Sequence, residues 1–220
     1  MVAVPTARPI GVIVNSDTHI HYWCQAYGAQ EIAAPPSPQD YAFGQFVQVS
    51  MPAPRTGGTA GTARMIGVIY DTVLVNPAFG AVGPRLSSSD EQRAVFSPDY
   101  LTERATLLRI LALGTTDATG TQVAHGVPPL ALELGAVVAP LDDAGIMAFH
   151  IFTDDGPAGD MPAYLHMGYL PQLLGERSGL LQQAALNVLE QLRRLLPAHH
   201  RMLSVIQRNL AWKLSVETAG

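Results

Sequence analysis

Two histidines near the start of the chain form the pattern most suggestive of metal chemistry. His19 and His21 alternate in sequence. On an extended strand, alternate side chains lie on one face, where they can share a metal ion. A metal held in this way activates water, so the pair indicates a metal-dependent hydrolase as one candidate function.

A catalytic metal site of this kind needs a third protein ligand. The remaining histidines do not end a series of alternating strands and helices, which is where such ligands usually lie. They are His125, His150, His166, His199 and His200. We therefore keep hydrolysis at the His19 and His21 pair as the alternative function, and we predict no bound metal there.

Other segments with reactive residues have structural explanations. The glycine-rich segment Gly57–Thr62 lacks the lysine that follows a phosphate-binding loop. Asp142 and Asp143 are typical of the start of a helix, where carboxylates bind free backbone N–H groups. Cys24 lies in an apolar run without a basic neighbour to lower the pKa of its thiol, which predicts a buried, unreactive side chain. The sequence therefore predicts a protein that is not an enzyme, with no catalytic residue and no cofactor.

The composition narrows the class of partner. The chain has 220 residues, a formal net charge of −5 and a charged fraction of 14%, whereas a protein that covers nucleic acid needs many cations to neutralise phosphates. A contact with DNA is therefore expected to be local. No apolar stretch reaches the roughly 18 residues that a membrane span requires, and residues 1–10 lack the apolar segment of a signal peptide. With a single cysteine, we expect a cytoplasmic protein without membrane contact.

Residues 1–155 are rich in short β-branched runs separated by turn signals. Such runs are typical of strands, and a set of them is most simply protected from edge pairing when the sheet closes on itself. We therefore predict a mainly β protein with a small closed barrel over residues 10–140, followed by a short helix that begins at Asp142 or Asp143. The predicted strands are Ile10–Val14, His19–Ala26, Phe43–Ser50, Met65–Val75 and Tyr100–Leu113.

The sequence changes character at Thr153–Asp160, a segment of glycine, proline and aspartate, and we place a domain boundary there. Residues 1–155 form the predicted barrel domain, and residues 156–220 form a helical region. Apolar residues recur at helical spacing on both sides of Pro197, which predicts a helical hairpin. The two apolar stripes are Leu181, Ala185, Val188, Leu192 and Leu195, then Leu203, Ile206, Leu210 and Leu214. The stripes pack either on the barrel or against a partner or a second copy of the chain.

The same helices carry the only sustained basic stretch of the chain. No acidic residue occurs between Glu190 and Glu217, although the chain as a whole is acidic. This stretch is either a solvated helix surface or the contact surface for an acidic partner or the DNA backbone. We predict partner contact through its cations, which are Arg193, Arg194, Arg201, Arg208 and Lys213.

The order of the N-terminal segments resembles the HerA/ATP synthase-type (HAS) barrel, the small N-terminal domain of HerA-like DNA translocases. The resemblance is carried, in this order, by Ile10–Thr18, Gly44–Val49, Gly67–Thr72, Tyr100–Leu113, His125–Pro129 and Gly135–Asp142. In those translocases an ATPase domain follows the barrel. In this sequence a helical region follows, without a phosphate-binding loop.

The resemblance implies assembly rather than translocation. Such barrels pack into rings and dock a nuclease during the resection of DNA ends in repair. A barrel without the motor is therefore expected to dock a separately encoded HerA-like ATPase or NurA-like nuclease through protein–protein contacts, and to form a homo-oligomer. Metal-dependent hydrolysis at His19 and His21 is the alternative.

Overall fold

A computed structural model describes residues 8–29, 31–51, 63–76, 105–117, 119–152, 163–175 and 178–217 of the chain. Within these residues, nine β-strands precede or interleave with four α-helices. The strands are β1 (Gly11–Ser16), β2 (His21–Ala26), β3 (Phe46–Ser50), β4 (Arg64–Val75), β5 (Ala105–Thr116), β6 (Val123–His125), β7 (Val137–Pro140), β8 (Ile151–Phe152) and β9 (Tyr164–Leu165).

Six of the strands form a closed antiparallel barrel in the order β1, β2, β5, β4, β3, β7. The ring closes because β7 pairs with β1 and β2 pairs with β5, while β6 extends the sheet beside β5. Register shifts between Ile13 and Asn15 in β1 and between Ile69 and Asp71 in β4 are bulges. Bulges bend strands and so favour closure. The prediction of a mainly β protein with a closed barrel and C-terminal helices is confirmed.

Side chains of the ring strands alternate between the barrel interior and its outer surface. Cys24 lies in the interior with no exposed area, and burial raises the pKa of its thiol to about 12. The predicted burial of the thiol is therefore confirmed, and the raised pKa favours the protonated form, which is the weaker nucleophile. The interior core also contains Ile10, Ile13, Tyr22, Val47, Val49, Met65, Ile69, Leu108, Ile110, Ala112 and Val138.

One side of the barrel is apolar on its outer surface as well. The outward side chains there belong to β3, β4 and β5, and they share a second buried core with the helices. These side chains are Phe46, Ile66, Val68, Tyr70, Leu111 and Leu113. Neighbouring residues of β5, such as Ile110 and Leu111, therefore lie in two different cores.

The helices begin directly after the last strand of the ring. They are α1 (Asp143–His150), α2 (Leu170–Leu174), α3 (Gly179–Leu195) and α4 (His200–Glu217), with a short 3-10 turn at Pro197–His199. Asp142 caps α1 because its Oδ1 accepts a hydrogen bond of 2.8 Å from the N–H of Gly145, which confirms the predicted helix start. In the part of the chain that the structure describes, no helix has both the length and the apolarity needed to cross a membrane.

Helix α3 covers the apolar outer side of the barrel. Its buried side chains are Leu181, Ala184, Ala185, Val188, Leu189 and Leu192, and they join the outer core. A hydrogen bond also joins α3 to the segment before β3, because Nε2 of Gln191 donates to the carbonyl oxygen of Gly44 at 2.7 Å. Of the two alternatives for the first apolar stripe, the structure therefore shows packing on the barrel.

Two predictions fall on other parts of the chain. The glycine-rich loop at residues 57–62 and the domain boundary at residues 153–160 lie outside the described residues.

Candidate functional site

Helix α4 lies on α3, which in turn lies on the barrel. Leu203 and Leu210 are buried on the inner side of α4 and belong to the outer core. The second apolar stripe of the sequence therefore holds α4 in place from one side. The opposite side of the helix is left to carry other contacts.

A cluster of polar side chains joins the two long helices. Arg193 on α3 donates from Nη1 to Oε2 of Glu190 at 2.8 Å and to Oε1 of Gln207 on α4 at 2.7 Å. Gln207 also donates from Nε2 to the same Glu190 oxygen at 3.2 Å. Arg193, one of the predicted partner-binding residues, therefore bridges two elements of its own chain.

The other predicted partner-binding residues lie at the surface of the helices. Arg194 on α3 lines an open depression with Asn187, Glu190 and Gln191. The remaining cations, Arg201, Arg208 and Lys213, are exposed on α4. Of the five predicted cations, Arg193 therefore bridges α3 and α4 within the chain, and the other four lie on the exposed surfaces of these two helices.

Exposed apolar side chains accompany two of these arginines. Val205 is 56% exposed and Trp212 is 69% exposed. Together with Arg201 and Arg208 they follow steps of four, three and four residues, which places all four side chains on one face of a helix. We call this set of four residues the outer face of α4. Val205 and Trp212 are absent from the residues predicted to contact a partner, although their helical spacing relative to the arginines is visible in the sequence.

His19 and His21 do not share a strand face, and that expectation is wrong. β2 begins at His21, so His19 lies in the preceding bend, where Thr18 Oγ1 accepts the backbone N–H of His21. His19 is exposed, and its Nε2 lies 2.8 Å from the carbonyl oxygen of Pro128. His21 is buried, and its Nδ1 lies 2.8 Å from the hydroxyl of Tyr70. The bend gives the two imidazoles different surroundings.

A second group of side chains, made of histidine, phenylalanine and tyrosine rings, was not found by sequence reasoning. It gathers aromatic rings from β6, α1, β8 and the segment before α2. Its members are His125, Phe149, His150, Phe152, His166 and Tyr169. The rings of His125 and His166 are stacked, with centroids 4.6 Å apart and planes inclined by 11°. Because these residues come from separate elements of the chain, no spacing pattern in the sequence indicates that they form a group.

Hydrogen bonds fix the protonation of two of these imidazoles. The N–H of Gly168 donates to Nδ1 of His125 at 3.1 Å, so the ring proton lies on Nε2, which donates to the carbonyl oxygen of Phe149 at 2.8 Å. In His150, Nδ1 donates to the carbonyl oxygen of Ile146 at 2.6 Å. Its Nε2 therefore accepts the bond from the hydroxyl of Tyr169.

Burial keeps both imidazoles neutral. Loss of hydration lowers the pKa of His125 to about 4 and that of His150 to about 3. Burial also raises the pKa of the Tyr169 hydroxyl above its usual range. The ring nitrogens of His125 and His150 are hydrogen-bonded to groups of the protein itself, while Nδ1 of His166 is buried without a hydrogen-bond partner among the described residues. The group acts as packing between the barrel and the following segment.

Within the described ranges, no group of three or more His, Cys, Asp or Glu side chains is placed to hold a metal ion. The carboxylate of Asp142 is engaged in capping α1.

Comparison with known families covers almost the whole chain. Residues 3–219 match the family model described as "Domain of unknown function (DUF8166)". The chain belongs to this family. The match includes the barrel strands and the C-terminal helices, so the family is defined by both parts together. No curated protein matches the sequence.

Proposed function

We propose that this protein is a non-catalytic barrel that docks a separately encoded HerA-like ATPase or NurA-like nuclease, in the processing of DNA ends. The observation that carries the proposal is the layered position of α4. The barrel supports α3, α3 supports α4, and α4 turns basic side chains outward. In the HAS-barrel proteins that the sequence resembles, the motor domain follows the barrel, and here the two helices occupy that place.

The packing of the helices suits a docking element. The apolar stripe of α3 is buried against the outer side of β3, β4 and β5, so the helices are held in place on the barrel. The bridge from Arg193 to Gln207 ties α4 to α3 in the same way. A partner held on α4 would therefore have a fixed orientation relative to the barrel.

The charge distribution favours an acidic partner. The whole chain carries a net charge of −5, but the stretch between Glu190 and Glu217 contains no acid. A local basic surface on an acidic protein steers an oppositely charged partner to one place and repels it elsewhere. Contact with DNA, where it occurs, is expected to be local for the same reason.

The proposal is tested by mixing the full-length protein with a purified HerA-like ATPase and a NurA-like nuclease from the same organism. We expect a complex with one of them in size-exclusion chromatography at low ionic strength, and a weaker complex as salt is added. Absence of a complex with both proteins at low ionic strength would contradict the proposal. Intrinsic hydrolase activity that requires added metal and is lost in His21→Ala would favour the alternative function.

A further inference from the structure

The outer face of α4 combines two cations with two exposed apolar side chains. Arg201 and Arg208 are seven residues apart, which corresponds to about 10.5 Å along a helix. Val205 lies between them, and Trp212 lies one turn beyond Arg208. This face is opposite to Leu203 and Leu210, the residues that bury the helix.

The exposure of the apolar members is unusual for a surface that meets only water. Trp212 is 69% exposed and Val205 is 56% exposed, and Met202 beside them is 44% exposed. Tryptophan and arginine are the residue types that most often anchor protein interfaces, because they combine large contact area with directed polar groups. The arginines give this surface its charge, and the exposed side of the tryptophan adds apolar contact area to it.

We propose that the outer face of α4 binds an acidic amphipathic helix of a partner protein. Carboxylates of that helix, spaced seven residues apart, pair with Arg201 and Arg208, and its apolar side chains cover Val205 and Trp212. Arginine is suited to this role because its guanidinium binds a carboxylate through two parallel hydrogen bonds. The inference rests on the proposed docking function and names the chemistry of the partner segment.

Two other occupants fit the face less well. A second copy of the chain would bring two more arginines and no acid to the contact, so a symmetric interface through α4 would leave all four guanidinium groups without a carboxylate. DNA would use the arginines, but its phosphates would leave Val205 and Trp212 exposed or poorly covered. An acidic helix satisfies the charges and the apolar area at once.

Fluorescence of Trp212 tests this inference in the full-length protein. The chain contains 2 tryptophans, so Trp23→Phe leaves Trp212 as the single reporter. The first probe is a synthetic helical peptide with glutamates seven residues apart and leucines between them. The other probes are the same peptide with lysine in place of glutamate, a DNA duplex, and phosphatidylserine-containing vesicles.

We expect the glutamate peptide alone to shift the emission of Trp212 to shorter wavelength, with an affinity that falls as salt is added. Arg208→Glu should weaken this binding about tenfold, and Arg201→Glu with Arg208→Glu about a hundredfold, as expected for close charge pairs at an interface. Arg8→Glu is the matched control, because Arg8 is an exposed cation that donates to the carbonyl oxygen of Pro35, outside α4. It should leave the affinity unchanged.

Several results would overturn the inference. They are equal binding of the lysine peptide, a response to DNA or vesicles without a response to the glutamate peptide, no response to any probe, or insensitivity of binding to the double charge reversal. If a complex with the ATPase or nuclease still forms with the Arg201→Glu and Arg208→Glu double variant, the outer face of α4 is not the docking site, although the proposed docking function still stands. Peptide binding without any such complex would support the face and reject the docking function.

Discussion

The hydroxyl of Tyr169 donates a hydrogen bond of 2.6 Å to Nε2 of His150, and neither residue has any exposed area. On its other side, His150 donates to the carbonyl oxygen of Ile146 within α1. Tyr169 precedes α2, so this chain of bonds links α1 to the segment that leads into the helical layer. Because both side chains are buried, loss of either one leaves the polar atom of the other without its hydrogen-bond partner.

Removing both partners should cost less than the sum of the costs of removing each one alone. We expect Tyr169→Phe and His150→Phe each to lower the free energy of unfolding by about 1–3 kcal/mol, because each leaves a buried polar atom without its partner. The double variant should lose clearly less than the sum of the two. Urea unfolding of the wild type, the two single variants and the double variant measures this cycle. Tyr164→Phe is the control, because the Tyr164 side chain is 49% exposed. It should change the free energy of unfolding by less than about 0.5 kcal/mol. Strict additivity would show that the bond contributes no coupling.

Mild acid should destabilise the protein through its buried imidazoles. Burial lowers the pKa of His125 to about 4 and that of His150 to about 3, below the value near 6.5 of an unfolded histidine. The unfolded chain therefore binds more protons below pH 6.5, and the free energy of unfolding falls as the pH decreases from there toward 4. Each group contributes at most about 1.4 kcal/mol per pH unit, with the smaller share from the partly exposed His125.

Urea unfolding at several pH values checks this expectation. Above about pH 8 both imidazoles are neutral in the folded and unfolded states, so their contribution there is flat and serves as an internal control. His125→Gln should reduce the slope below pH 6.5 while keeping a side chain that can donate and accept. A slope that is unaffected by this replacement would mean that other groups cause the acid sensitivity.

The polar bridge between α3 and α4 should contribute modestly to stability. Arg193→Met removes the bonds to Glu190 and Gln207, and we expect a loss of about 1 kcal/mol because the bridge lies near the surface. Arg194→Met removes a neighbouring exposed cation and should change stability by less than about 0.5 kcal/mol. Thermal and urea unfolding compare the two variants. Equal effects would indicate that Arg193 acts only through its charge.

Two glycine replacements should have opposite effects. A Cβ on Gly11 would meet the carbonyl oxygen of Gln25 and lie 2.8 Å from Sγ of Cys24, so Gly11→Ala should push β1 and β2 apart and lower stability by about 2–3 kcal/mol. At Gly179, the first residue of α3, a Cβ has no neighbour within 4 Å. There, Gly179→Ala should be neutral or stabilise by up to about 1 kcal/mol. Urea unfolding measures both, and a tolerated alanine at Gly11 would show that the two strands can separate without cost.

The sequence predicted the barrel because its strands carry β-branched runs bounded by turns. The sequence of β5 is ambiguous, because its apolar residues Leu107, Leu108 and Ile110–Leu113 suit a helix as well as a buried strand. The structure explains the ambiguity. β5 is covered inside by the barrel core and outside by α3, so neither side of the strand needs polar residues. The short strand β7 is absent from the predicted strands, because its four residues show too little alternation to indicate pairing.

The sites were harder to predict than the fold. The charges of α4 are visible as a composition bias, but only the helix geometry shows that Arg193 points into a bridge while Arg201 and Arg208 lie with Trp212 on the outside. The group around His150 depends on chain reversals between α1 and β9, which local propensity does not encode. The expectation for His19 failed because Thr18 forms a turn that delays the start of β2.

The closure of the ring also sets the order in which the chain can complete it. His21 pairs with Leu111, and Gly11 pairs with Val138, so the hairpin of β1 and β2 meets both neighbours only after most of the chain has been made. Pairings between residues so distant in sequence form slowly, because a long loop must close before any contact is gained. During translation, both edges of this hairpin therefore stay open to other nascent chains until β5 and β7 have left the ribosome.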